Sequence, residues 1–108
     1  MAIKRKAPAY YEARARIAKA MAHPTRVFIL EVLQEREWCV CELTNLIGAD
    51  QSTVSKHLAL LKQAGLVEVR REGSMIFYRL RCRCIPSFFN CIESVLKANL
   101  QAHQEVMN

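Results

Sequence analysis

Apolar residues recur at three- and four-residue intervals along most of this chain, and at alternate positions in one stretch past its middle. Residues 10–22 are rich in alanine and set Tyr10, Ile17 and Met21 near one face, which predicts a helix. His23-Pro24 interrupts it, and proline suits the first position of a second helix over 24–34. Val27, Phe28, Ile29, Leu30, Val32 and Leu33 cover nearly all faces of that helix, which predicts a buried central position. A very short strand is expected at 38–40 and a short helix at 42–47, stopped by Gly48. Asp50 suits the N-cap of a further helix, 51–64, with Val54, Leu58 and Leu61 on its inner stripe.

Period two then takes over. Leu66, Val67 and Val69 lead into Arg70-Arg71-Glu72-Gly73-Ser74, and Met75 to Leu80 follows, the pattern of a hairpin with a basic, polar tip. Pro86 precedes a last helix, 87–106. On it Phe89, Ile92, Leu96, Leu100 and His103 form one stripe, with Phe88 and Val95 beside it. The expected fold is mainly α with a small β-hairpin wing: a winged helix-turn-helix, dimeric, in one domain across 1–108. Residues 1–8 are a flexible basic arm, 42–64 the helix-turn-helix and 66–80 the wing. A chain of 108 residues has little core with which to cover a long terminal helix. Pairing two copies hides its stripe and presents two recognition helices to a palindrome; the alternative is a last helix folded back on its own core.

Charge adds a partner. Sixteen lysines and arginines against ten acidic residues give +6, which favours a polyanion through phosphate contacts and counterion release. The polar groups fall where a DNA reader needs them. Gln51, Ser52, Thr53, Ser55, Lys56 and His57 open the second helix of the pair, where hydroxyls, an amide and a cation reach base edges and phosphates. Arg70 and Arg71 in the wing are expected on the backbone. The plainer reading is an amphipathic helix with a solvated basic face. No glycine-rich phosphate loop, nucleophile elbow or spaced acid–base pair points to an enzyme. No apolar run is long enough for a membrane helix, and no signal peptide is recognisable, so the expected address is the cytoplasm, without a membrane partner.

Several stretches together resemble the ArsR/SmtB family of metal-responsive repressors. They are Ala22-His23-Pro24-Thr25-Arg26, Cys39-Val40-Cys41-Glu42-Leu43, Asp50 through Leu58, Ala64-Gly65-Leu66-Val67 and Arg70-Arg71-Glu72-Gly73. His23 stands where aspartate is more usual in that family. The resemblance implies a homodimer built on helices 10–22 and 87–106. It also implies binding to double-stranded operator DNA without effector, and release by an inorganic inducer. Family members that sense arsenite through this motif carry a third cysteine three positions after the second, where this chain has Thr44.

Five cysteines in a chain expected in a reducing compartment argue against a disulfide framework. Cys39 and Cys41 at a strand-to-helix junction can converge on one soft ion: arsenite first, or cadmium, lead or zinc. Two thiolates are few, and Cys82, Cys84 or Cys91 is the expected further ligand, from this chain or a second one. The short strand is expected to pair with the outgoing wing strand, which would bring Cys82 or Cys84 toward Cys39. Glu93, His103 and Glu105 do not reproduce the spacing of a last-helix zinc site. Three alternatives stand beside this reading. Cys39 or Cys41 with Cys91 would make a persulfide or oxidant switch; the thiols would be buried packing groups; or the chain would buffer metal or bind proteins without specific DNA affinity.

Overall fold

The computed structural model describes residues 3–107. Its elements run α1 (Pro8–Met21), α2 (Pro24–Val32), β1 (Trp38–Cys39), α3 (Val40–Ile47), α4 (Gln51–Gln63), β2 (Val67–Glu72), β3 (Met75–Leu80) and α5 (Ile85–Met107). The order is the expected one, and the differences lie at the ends. α1 opens at Pro8, with the proline in its first turn, so the basic arm is shorter than expected and its first two residues lie outside the described range. α2 stops at Val32, and its N-cap is His23, whose Nδ1 accepts from the Thr25 N–H at 3.1 Å.

The start of α3 moves from the expected 42 to Val40 for a clear local reason. Cys39 is its N-cap: the Cys39 sulfur accepts from the Glu42 N–H, and the Glu42 carboxylate accepts from the Cys39 N–H at 3.0 Å. This reciprocal pair is a capping box built on a thiol instead of a hydroxyl. Cys41 therefore lies on a helix, not a strand. Gly48 closes α3 at φ +78°, a left-handed position that a side chain would strain. Asp50 caps α4 by accepting from the Thr53 N–H at 2.8 Å.

The sheet has three antiparallel strands in the order β1-β3-β2. Trp38 pairs with Tyr78 and Cys39 with Phe77, as expected for a short strand beside the outgoing wing strand. β2 and β3 turn through Gly73-Ser74, with Gly73 at φ +61°. Arg70 and Arg71 are paired strand residues, not tip residues: Arg70 faces Phe77 and Arg71 faces Ile76.

One core lies under these elements, formed by Ile29, Leu30, Leu33, Leu43, Val54, Leu58, Leu61, Leu66, Val67 and Ile85. α2 and α4 supply half of it, which fixes the recognition pair rigidly on the central helix. α5 enters this core only through Ile85 and Phe89, then leaves it. Val95, Leu96 and Leu100 remain 58%, 62% and 60% exposed, so the last helix does not fold back on its own core. α1 buries no residue either, and its Ile17 is exposed.

Candidate DNA interface and thiol site

α4 presents its faces as its periodicity requires. Val54, Leu58 and Leu61 are fully buried, while Gln51, Ser52, Thr53, Ser55 and Lys56 are exposed at its N-terminal end. The Ser52 hydroxyl donates to the Asp50 carboxylate at 2.9 Å, which orients it beside the helix opening. Hydrogen bonds from Thr53 and Ser52 hold Asp50 below the usual carboxylate range, so the cap stays charged at neutral pH.

His57 differs from its neighbours. It is half-buried, its ring lies 4.5 Å from that of His23, and its Nδ1 is buried without a hydrogen-bond partner. It packs α4 against the start of α2, so part of its ring seats the helix. Burial, then the charges of His23 and Arg26, pushes its pKa below the ordinary 6.5. The unfolded chain therefore takes up this proton before the folded one. Stability from neutral His57 is whole above pH 6.5 and is lost as pH falls through the lower folded value. We expect His57→Gln, which cannot titrate there, to lose less of its urea midpoint than the wild type between about pH 7.5 and about pH 5.5. An equal loss in both proteins would place the titration elsewhere.

The wing arginines separate. Arg70 donates to Glu37 at 2.9–3.0 Å and to Glu72 at 2.8 Å, and its guanidinium lies 4.7 Å from the centre of the Phe77 ring. Arg79 joins Glu37 at 3.5 Å and Glu68 at 2.8 Å, so one ion-pair network ties β2 and β3 to the residue just before β1. Arg70 holds Glu37 below the ordinary carboxylate range, and Glu37 raises Arg70 in turn. The charge of Arg70 is thus matched by Glu37 and Glu72, which leaves Arg71 the freer of the two for a phosphate. Arg71 is exposed and makes no ion pair among the described residues. Arg71→Ala is expected to weaken operator binding by about 3- to 10-fold and to lower the salt slope by about one. Arg70→Ala should change the slope less, as anisotropy at several salt concentrations would show; equal slopes for both variants would keep Arg70 among the backbone contacts.

The two sulfurs of Cys39 and Cys41 lie 2.8 Å apart. Cys39 is buried and Cys41 exposed, so the pair spans the wall of a cavity of about 200 Å³. Gln51 of α4 and Ser74 and Met75 of the wing tip line the same cavity. Burial, then the hydrogen bond with Cys41, pushes the Cys39 thiol up. Glu42, which fixes the Cys39 backbone, is held down to about 2 by its bonds to Cys39 and Arg36. Glu42 and the ion-pair partners Glu37, Glu68 and Arg79 escape sequence reading; only the box spacing from Cys39 to Glu42 signals any of them.

Within the single chain the remaining cysteines stand apart from the pair. Cys39 pairs with Phe77, while Cys82 stands five positions later, past the end of β3 at Leu80, so the pairing does not set it opposite Cys39. Cys82 and Cys84 are bonded to each other in this structure, where the sequence reading has them as thiols. Cys91 is exposed on α5. Among the described residues no three side chains of cysteine, histidine, aspartate or glutamate gather as a metal site. No described helix is long and apolar enough to cross a membrane.

A capped recognition helix beside a three-stranded wing defines a winged helix-turn-helix DNA-binding protein. The family model described as "Bacterial regulatory protein, arsR family" matches residues 23–69. The arsenic resistance transcriptional regulator ArsR1 of Pseudomonas putida is 37% identical over 90 residues, covering 82% of this chain and 67% of its own. A cadmium resistance regulatory protein, the CadC homolog of Staphylococcus aureus, is 43% identical over 67 residues, covering 61% of this chain and 55% of its own. The winged helix-turn-helix domain Mb0332 of Mycobacterium bovis, described as homodimeric, superposes with a TM-score of 0.76 at 33% identity. That match covers 90% of this chain and 91% of the other. The chain belongs to the ArsR family of DNA-binding transcriptional regulators, which are not enzymes.

Proposed function

We propose that the chain is a homodimeric cytoplasmic repressor that leaves its operator when a soft ion bridges Cys39 and Cys41, arsenite before cadmium, lead or zinc. One observation carries this reading: the two sulfurs, 2.8 Å apart, share a cavity with Gln51 and with Ser74 and Met75. Soft, thiophilic ions select such a pair. An ion held between the sulfurs fixes the Cys39 side chain, which also caps α3, and so strains the capping box between β1 and α3. The recognition helix and the wing tip meet at that same cavity, so the strain falls on the elements that hold DNA. A coupling of about 1–3 kcal/mol weakens binding about 5- to 150-fold, enough for induction. The names of two relatives, an arsenic and a cadmium resistance regulator, agree with this choice of ions.

The same sulfur approach supports a second reading, in which an oxidant or a persulfide links Cys39 to Cys41. One titration separates the two. Reduced protein is bound to a fluorescent operator from upstream of its own gene, and arsenite, cadmium, lead, zinc and a persulfide donor are added in parallel. Release by near-stoichiometric arsenite, cadmium or lead is the expected result. Release by the persulfide donor alone would replace ion sensing with a thiol switch. No preference for operator over random duplex would leave a metal-buffering or protein-binding module.

A further inference from the structure

We propose that Cys82 and Cys84 form a reversible dithiol–disulfide site, separate from Cys39 and Cys41, which a hydroperoxide oxidises and a cellular dithiol reduces. Its state sets how firmly the two DNA-reading units of a dimer are held for one operator. The proposal rests on pairing through α5 but not on the soft-ion reading.

The bond is present in the structure, with Cα atoms 5.4 Å apart, inside the ordinary range for a disulfide. Cys84 and the residues on either side of Cys82, Arg81 and Arg83, are exposed, so a small oxidant and a reducing protein both have access. The thiolate is the attacking form in the oxidation and the leaving form in the reduction. In oxidation, the Cys82 thiolate attacks the hydroperoxide; its sulfur becomes a sulfenic acid and the corresponding alcohol or water leaves. The Cys84 thiolate then attacks that sulfur, the S–S bond forms, and water departs. In reduction, one thiolate of the dithiol opens the bond as a mixed disulfide. The second closes on the first, leaving two protein thiols and an oxidised reductant.

The position of the pair gives the chemistry its consequence. Residues 81–84 are the covalent link from β3 to α5. The link is pinned on one side, where the Arg81 N–H donates to the Leu66 carbonyl at 3.0 Å. On the other side the Phe88 N–H donates to the Cys84 carbonyl at 3.1 Å, and Ile85 is buried in the core. The sulfur pair lies between the two pins. Beyond Phe89, α5 carries the uncovered stripe Ile92, Val95, Leu96 and Leu100, the face on which the proposed dimer pairs. A helix of 23 residues is about 34 Å long, so a turn of about 10° at its root moves the far end by about 6 Å. Recognition helices of a dimer must meet half-sites about 34–36 Å apart. Closing the link removes freedom at the pivot, and with it part of the ordering cost of gripping both half-sites. The oxidised dimer is the tighter binder.

The test uses the full chain with Cys39, Cys41 and Cys91 changed to serine, so that only Cys82 and Cys84 react. The protein is reduced, or treated with hydrogen peroxide, then mapped by mass spectrometry, sized by sedimentation and titrated onto operator DNA. The expected result is a loss of about 2 Da in the peptide spanning 82–84, with operator Kd at least about threefold lower after oxidation. Adding Cys82→Ser or Cys84→Ser should erase the difference while the dimer persists. A bond that fails to form, equal affinities of a dimer in both states, or a difference that survives Cys82→Ser would each overturn the proposal alone. A monomer in both states would overturn it together with the pairing on which it rests.

Discussion

Exchanging Cys39 for serine is expected to leave operator affinity within about twofold of the wild type while raising the arsenite needed for release by about a hundredfold or more. The two effects part because Cys39 has two jobs. As the N-cap of α3 it accepts from the Glu42 N–H, and serine accepts that bond at least as well, being a preferred capping residue. The Glu42 carboxylate still accepts from the backbone N–H of residue 39, so both halves of the box survive. The side chain is buried, and the smaller, more polar hydroxyl is satisfied there by the Glu42 N–H. A hydroxyl is nevertheless a poor ligand for a soft ion, and the pair falls from two thiolates to one. Cys41→Ser should give the same loss of response without touching the cap, because Cys41 is exposed. Anisotropy of reduced protein on operator DNA, with and without arsenite, reads both quantities. Arsenite release that survives in both variants would move the inducer away from this cavity.

What the sequence made legible, and what it hid, follows from how far each cause reaches along the chain. The stripe Val54, Leu58 and Leu61 states the face of α4, and the burial of all three agrees with it. Asp50 and Gly48 announce their caps because those residue types are common there. Cys39 does not, since a thiol is not among the usual N-cap residues, and the start of α3 was displaced by two residues as a result. Arg70 shows a subtler limit. Its neighbourhood reads as a basic tip, yet Glu37, its ion-pair partner, stands 33 positions earlier and arrives only through the pairing of β1 with β3. The pairing itself was foreseeable; its register was not, and register leaves Cys82 past the paired stretch, not opposite Cys39. The recognition face was therefore readable from local pattern alone. The chemistry of the thiols depended on contacts set by the sheet.

Leu96→Glu is expected to convert the protein to a monomer and to weaken operator binding by about a hundredfold or more. Leu96 is 62% exposed in the single chain and stands with Ile92, Val95 and Leu100 on a face that no described residue covers. A relative of the same fold is described as homodimeric, and a covered stripe is the simplest use for such a face. A carboxylate in its middle would be buried twice across a symmetric interface, unpaired against its own copy, a cost of several kcal/mol. The substitution should spare the protomer. Glutamate is a good helix former, and Leu96 lies outside the core formed by Ile29, Leu30, Leu43, Leu58 and their neighbours. Far-UV circular dichroism should therefore keep its helical signal while sedimentation reports half the mass. The loss on DNA follows from linkage: two half-sites gripped by one dimer gain about 10²- to 10⁴-fold over two monomers binding separately. A variant that stays dimeric with unchanged affinity would show that the copies meet elsewhere, and α1, which buries no residue and exposes Ile17, is then the next surface to charge.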